Sequence, residues 1–296
     1  MKKKAYFATA EELARGGLEA IPPQMISGKH LIYSSPATLA FNSPGAEGFG
    51  VKRAGLAVPE YNDRFFYLMM DETDIVTGRH LKKIPKAVKE ICDCCEKKPS
   101  VVMICITCVD ALLGTDMERV CRKAEEKVDI PVRPCYMYAL TREGRKPPMV
   151  HVRQSLYSLL EPQKKKGNVV NLLGFFSPLV DDCEMYELLQ QAGVKTIHEI
   201  SRCKDYEEYQ TMSQANFNLV LHPEARFAAE DFHDRLKIPF IELRRLYQTD
   251  KIENQYRALG QVLGVSFDQE VYKKAAEEAV ERFREVCPDA SFAVGE

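Results

Sequence analysis

The chain has 296 residues, of which 45% are hydrophobic and 28% charged, and its formal net charge is -2. This length allows a sizeable core and two domains, and the lack of a long single-sign charge block argues against nucleic acid and anionic lipid as partners. The basic N-terminus has no continuous apolar stretch after it, and no run of about 18 apolar residues occurs, so we expect a cytoplasmic protein with no membrane partner.

The chain contains ten cysteines, more than usual for its length. In a reducing compartment they are not expected to form disulfides, so metal binding, catalysis or core packing must account for them. Their spacing matches neither a zinc ribbon nor a ferredoxin. A metal cluster would therefore take ligands from several elements or several chains. The cysteines lie at positions 92, 94, 95, 105, 108, 121, 135, 183, 203 and 287.

In chain order, residues 1 to about 80 give an irregular signal because Pro and Gly interrupt segments such as SSPATLAFNSPGAEGFG. After that, helical and strand patterns alternate as in βαβ units. The Pro-, Lys- and Gly-rich segment EPQKKKGN, residues 161–168, indicates a linker. The elements predicted before it are a helix at 81–98, a strand at 100–107, a helix at 111–128, a strand at 130–139 and a helix at 149–160.

After the linker the same alternation starts again, with a first helix that ends at Gly193. Strands separated by single helices predict parallel sheets covered on both faces. The predicted strands are 168–176, 194–200, 216–222 and 238–243, and the predicted helices are 181–193, 205–215, 224–236, 251–265 and 269–287.

The predicted fold is therefore α/β, with tandem Rossmann-like domains at 1–162, which includes the irregular N-terminal segment, and at 166–288. Residues 289–296 have the pattern of a further strand, so we expect them to begin a third domain that is truncated here. The segment LLGFFSPLVDD has one glycine where the dinucleotide fingerprint needs three, which argues against bound NAD.

Ligands of open parallel sheets bind beyond the carboxyl ends of the strands, and this rule ranks the cysteines. Cys108 follows the end of one predicted strand, whereas Cys105 lies inside it and alternation points it elsewhere. Cys135, Cys203 and His222 stand near the ends of later strands. The alternative for each cysteine is a small hydrophobic core residue, the commoner role of a buried thiol.

Four segments in order, over most of residues 70 to 245, carry a family resemblance. They resemble the nitrogenase component 1 superfamily, which includes molybdenum-iron protein subunits, cofactor-assembly scaffolds and dark-operative tetrapyrrole reductases. The resemblance implies three Rossmann-like domains, oligomers of homologous subunits, iron-sulfur clusters at subunit interfaces and electrons from an ATP-hydrolysing iron protein. The segments are ETDIVTGRHLKKIPKAVKEI, VVMICITCVDALLGTDMERVCRKAEEKVDIPVRPC, NVVNLLGFFSP and ANFNLVLHPEARFAAEDFHDRLKIPFIEL.

The resemblance also implies roles for individual residues. Cys108 takes the place of the cluster-ligating cysteine in the family's TCP motif, but Thr38 or a neighbour stands where a second cysteine is usual, and no cysteine precedes Cys92. His222 replaces the cysteine that holds the active-site cofactor in catalytic subunits. Either a smaller cluster is shared with a partner subunit or the cluster is lost. The candidate cluster ligands are Cys108 together with Cys135, Cys105 or Cys203.

Three functions follow from these observations. The first is a nitrogenase-like oxidoreductase subunit that accepts electrons from the iron protein through an iron-sulfur cluster and reduces an unidentified substrate. The alternative on the same fold is a non-catalytic scaffold for metallocluster or cofactor assembly, or a protein that binds a small ligand. A general α/β ligand-binding protein with incidental cysteines is the third. No residue is assigned as a general acid or base.

Overall fold

The part of the chain described in the computed structural model comprises residues 29–34, 51–53, 65–68, 72–94, 99–106, 113–136, 148–174, 179–203 and 205–289. Within these ranges helices alternate with strands, and the strands form two separate sheets. The predicted α/β class is thus confirmed. In the same ranges no helix is long and apolar enough to span a bilayer.

The first sheet has five strands: β1 Lys29–Ser34, β2 Val51–Arg53, β3 Phe65–Leu68, β4 Val101–Ile106 and β5 Val132–Tyr136. Their spatial order is β2-β3-β1-β4-β5. All neighbouring pairs are parallel except β2 and β3, which run antiparallel at one edge. The carboxyl ends of β3, β1, β4 and β5 therefore share one edge of the sheet.

Three helices belong to this sheet: α1 Glu72–Val76, α2 His80–Cys94 and α3 Met117–Val128. The helix predicted at 111–128 is interrupted: Leu113 is helical, but residues 114–116 are not. α3 begins at Met117, where the Asp116 side chain accepts a hydrogen bond from the Arg119 N–H and caps the helix. Asp129 ends α3 in the left-handed conformation, with φ of 52°.

The fourth helix, α4 Pro148–Tyr157, packs on the other face of the first sheet and joins it to the second half of the chain. Its C-terminal carbonyls accept hydrogen bonds from the second half: Arg235 donates to Tyr157 and Leu160, and the Tyr209 hydroxyl donates to Leu156. The segment predicted as a linker is also fixed, since the Lys166 N–H donates to the Gln214 carbonyl at 2.9 Å.

The second sheet has four parallel strands: β6 Val169–Leu173, β7 Thr196–His198, β8 Phe217–Val220 and β9 Phe240–Glu242, in the order β7-β6-β8-β9. Gly193, with φ of 82°, follows the first helix as predicted. The single helix predicted at 205–215 is a short helix continued by a 3-10 turn, Thr211–Gln214. The helices are α5 Glu184–Gln191, α6 Tyr206–Gln210, α7 Arg226–Leu236, α8 Thr249–Leu263 and α9 Glu270–Val286.

Three hydrophobic clusters of described residues hold these layers together. One lies between the first sheet and α2 and α3, and another lies between the second sheet and α5 and α8. The third, which we call the shared core, contains Val101 and Met103 of the first sheet, Leu173 of the second, and Tyr157 and Phe232 from the helices between them. Burial of each such side chain contributes about 1.5–3 kcal/mol. The two sheets are therefore joined by apolar packing.

Candidate functional site

The carboxyl ends of β6 and β8 meet closely at Gly174 and His222. A β-carbon placed on Gly174 would lie 2.8 Å from the His222 backbone nitrogen and 3.1 Å from its β-carbon. The Leu221 N–H also donates to the Leu173 carbonyl at 2.7 Å. His222 is thus held against the end of β6, at the position where open α/β sheets bind ligands.

Arg153, which the sequence analysis missed, connects α4 to this strand end. Its Nε and Nη2 donate to the Gly174 carbonyl at 3.2 and 2.7 Å, and its Nη1 donates to Glu224 Oε2 at 2.6 Å. The Arg153 side chain is only 7% exposed, whereas that of Glu224 is 33% exposed. A guanidinium buried to this degree is stable only while both partners are present. The sequence does show an arginine within the apolar segment VHVRQSLYSLL, and such a position indicates a buried guanidinium that needs partners.

His222 is oriented by the turn that follows it. Its Nδ1 accepts a hydrogen bond from the Glu224 N–H at 3.3 Å, so the neutral ring carries its proton on Nε2. Burial lowers the pKa of His222, Arg153 and Arg245 lower it further, and only Glu224 opposes them. At neutral pH His222 is therefore a neutral ring whose Nε2–H is a hydrogen-bond donor, an arrangement less suited to metal ligation than a thiolate is.

The two described cysteines of the predicted ligand set lie in the shared core. Cys135 is 4% exposed and Cys203 is 2% exposed, and the Cys203 thiol donates to the Glu199 carbonyl at 3.4 Å. Cys105 stands opposite Cys135 in the β4–β5 register, but only its backbone is described. Cys108 and Thr38 lie outside the described residues. The ligand roles of all five stay predictions.

His80, at the first turn of α2, is a buried imidazole that the sequence analysis also missed. It is 4% exposed, and its Nδ1 lies 3.2 Å from the Asp74 backbone carbonyl. Its Nε2 is buried and has no hydrogen-bond partner among the described residues. The sequence could have predicted that His80 is buried. Positions i, i+4 and i+7 share one helix face, so His80 lies on the same face as the apolar residues Ile84 and Ala87.

The described residues contain no group of three or more His, Cys, Asp and Glu side chains that could hold a metal ion. Four buried side-chain polar atoms of the described residues have no hydrogen-bond partner: His80 Nε2, Asn171 Oδ1, Ser201 Oγ and Asn218 Nδ2. His80 Nε2 is the imidazole nitrogen among them. The described residues alone do not supply the ligand set of an iron-sulfur group, so such a group would need a thiolate outside them, such as that of Cys108.

One mainly parallel and one fully parallel sheet, with polar residues at the carboxyl end of the second, define an α/β protein of the Rossmann-like class. The family model for nitrogenase component 1 type oxidoreductases matches residues 51–290. The chain belongs to this family, as its sequence motifs predicted.

Curated relatives and solved structures agree with this family. Two relatives are described as nitrogenase iron-molybdenum cofactor biosynthesis protein NifE. The one from Nostoc sp. (strain PCC 7120) is 26% identical over 253 residues, which are 84% of this chain and 50% of the relative. The one from Rhizobium meliloti (strain 1021) is 29% identical over 202 residues, which are 67% of this chain and 41% of the relative. The chain spans about half the length of the curated relatives it matches.

A solved structure of nitrogenase Cp1 at pH 5 has the same fold. Its TM-score with this chain is 0.56 at 21% identity, and the match covers 98% of this chain and 58% of that one. At this identity the likeness shows the fold alone. The Rossmann-like α/β fold expected from the sequence is thus confirmed, and it is similar to the fold of nitrogenase component 1.

Proposed function

We propose that this chain is a scaffold subunit for metallocluster assembly, which receives an iron-sulfur-containing cluster as cargo and passes it on. The geometry of His222 carries this proposal. An imidazole with its Nδ1 already bonded to a backbone N–H offers a cluster an Nε2–H hydrogen bond, and not a covalent thiolate bond. A cargo that is ligated by the Cys108 thiolate but only hydrogen-bonded by His222 has one covalent bond fewer to break on release than a cargo ligated by cysteine at both positions.

The relatives named as cofactor biosynthesis proteins support the same function. Within this proposal Cys108 is the thiolate ligand at the carboxyl edge of the first sheet. Cys105, Cys135, Cys203 and Thr38 are further candidate contacts, and a homologous component 1 type subunit completes the site. Residues 1–162 and 166–288 act as the two domains that carry it, and residues 289–296 belong to a third.

A reductase subunit is the second candidate function, because the family model describes an oxidoreductase. In this function the cluster stays bound, takes electrons from an ATP-hydrolysing iron protein and passes them to a substrate. Both functions need iron on the protein. They differ in whether the cluster leaves it.

The test begins with iron and acid-labile sulfide on anaerobically purified protein and on its Cys108→Ser variant. We expect iron in the wild type and its loss in the variant. The loaded protein is then mixed with a cluster-free ferredoxin, and the two are separated. Transfer of iron to the ferredoxin supports the scaffold, whereas retention of a cluster that dithionite reduces reversibly supports the reductase. Wild-type protein without iron would contradict both functions.

A further inference from the structure

We propose that the C-terminal half of α9 is a docking surface for the same helix of a second copy of this chain, with the two helices antiparallel. This inference goes beyond the proposed function, because no described residue of α9 belongs to the strand-end site of the second sheet. The first turn of α9 is anchored: Lys273 pairs with Glu253 of α8 at 3.0 Å, and the Tyr272 hydroxyl donates to Glu187 of α5. From residue 277 to residue 289, by contrast, every residue is exposed.

The exposed half of α9 carries an apolar stripe. Val280, Phe283 and Val286 are 45%, 41% and 80% exposed, and Ala276 and Ala279 continue the stripe toward the start of the helix. Spacings of three, four and seven residues place these side chains on one face. Contiguous exposed apolar surface of this kind is typical of a contact with another protein.

Two charges beside the stripe match a second copy of the same helix. Glu277 and Arg284 lie on the same side of the stripe, about 60° and 40° around the helix axis from Val280. An antiparallel pair centred between residues 281 and 282 brings this side of both helices together. Val280 then lies opposite Phe283 of the second copy, and Glu277 lies within one turn of Arg284 of the second copy. A twofold axis makes each of these contacts twice, as in a self-complementary dimer interface.

The size of the surface determines the expected strength of the contact. Specific protein interfaces bury about 1,200–2,000 Å² in total and use about 20–30 residues on each side. The exposed part of α9, residues 277–289, supplies fewer residues than that. We therefore expect a weak dimer, with a dissociation constant on the order of micromolar.

Sedimentation velocity of the purified chain at increasing concentration measures this dissociation constant. Val280→Glu should raise it by about tenfold or more, because a carboxylate would enter the apolar contact. The matched control is Val271→Glu, which should leave it unchanged. Val271 is a 73% exposed valine of the same helix, and nine residues at about 100° each place it on the opposite side from Val280. Thermal unfolding checks that both variants are folded.

An exchange of charges tests the antiparallel order. Glu277→Arg and Arg284→Glu should each weaken the dimer by about fivefold or more, because each places like charges together. The double variant should recover the wild-type dissociation constant, since the second copy then offers the exchanged charge. Within one helix Glu277 and Arg284 are about 10 Å apart along the axis, so this recovery reports a contact between copies.

Three outcomes would overturn this proposal. A chain that stays monomeric at a concentration on the order of 100 μM, well above the expected dissociation constant, would exclude a second copy as the partner of α9. A dimer that Val280→Glu leaves intact would place the contact elsewhere on the surface. Additive losses in the double charge variant would exclude the antiparallel pair. None of these outcomes bears on the iron measurement that tests the proposed function.

Discussion

Gly174 and His222 approach each other so closely that a single β-carbon on Gly174 would lie 2.8 Å from the His222 backbone nitrogen. The ends of β6 and β8 therefore depend on glycine at this position. Since the neighbouring atoms are backbone, they cannot move aside at little cost, unlike the end of a flexible side chain.

Gly174→Ala is expected to destabilise the fold by about 1–3 kcal/mol, the usual cost of overpacking, and to displace His222. Urea unfolding measures the change in the free energy of unfolding. Gly167→Ala is the matched control, because a β-carbon there meets nothing within 4 Å. Equal stability of the two variants would mean that the strand ends separate easily.

Arg153→Met should cost about 1–3 kcal/mol, because it removes the two donors to the Gly174 carbonyl and the ion pair with the partly exposed Glu224. Arg226→Met is the control, since Arg226 is 57% exposed and its pair with Glu230 is worth about 0.2–1 kcal/mol. Thermal unfolding of both variants gives the comparison. Similar losses would show that the Arg153 pair behaves as a surface ion pair.

Much of the fold could be predicted from the sequence. Short apolar runs predict strands, 3.6-residue periodicity predicts helices, and the alternation of the two predicts parallel sheets. The start of α3 could not be predicted, since the cap at Asp116 depends on one hydrogen bond to the Arg119 N–H. The site was predicted less well. Cysteines and His222 are visible as residue types, whereas the importance of Arg153 and His80 depends on burial and on partners such as Gly174, which sequence spacing does not show.

Lower pH should destabilise the fold through two half-buried histidines, His198 and His222. Burial is the main cause that lowers the pKa values of His222 and His198. In the unfolded chain the histidines have a pKa of about 6.5, which is higher than in the folded protein. As the pH falls below this value, the unfolded chain therefore binds protons before the folded protein does, and the folded protein loses stability.

The measurement is the melting temperature of wild type, His198→Asn and His222→Asn at about pH 7.5 and pH 5.5, either side of the unfolded pKa. Each variant should show a smaller drop between the two pH values than the wild type. His233→Asn, which changes an exposed ring, should drop as much as the wild type does. A wild-type melting temperature that is equal at both pH values would contradict the assignment.

Asn171 and Asn218 form a buried pair across β6 and β8. Asn171 Nδ2 donates to Asn218 Oδ1 at 2.8 Å and to the Met212 carbonyl at 2.9 Å. Asn171 Oδ1 and Asn218 Nδ2 are buried and have no partner in the part of the chain that the structure describes. Asn171→Leu alone should cost about 1–3 kcal/mol, because it leaves the Asn218 amide and the Met212 carbonyl with fewer partners.

The double variant Asn171→Leu/Asn218→Leu should be less destabilised than the sum of its single variants, because it removes both buried amides together. Urea unfolding of the wild type, the two single variants and the double variant gives the coupling free energy. The Met212 carbonyl stays unpaired in the double variant, so we expect partial recovery, not full wild-type stability. Strictly additive losses would show that the two amides act independently, each bonded to buried water.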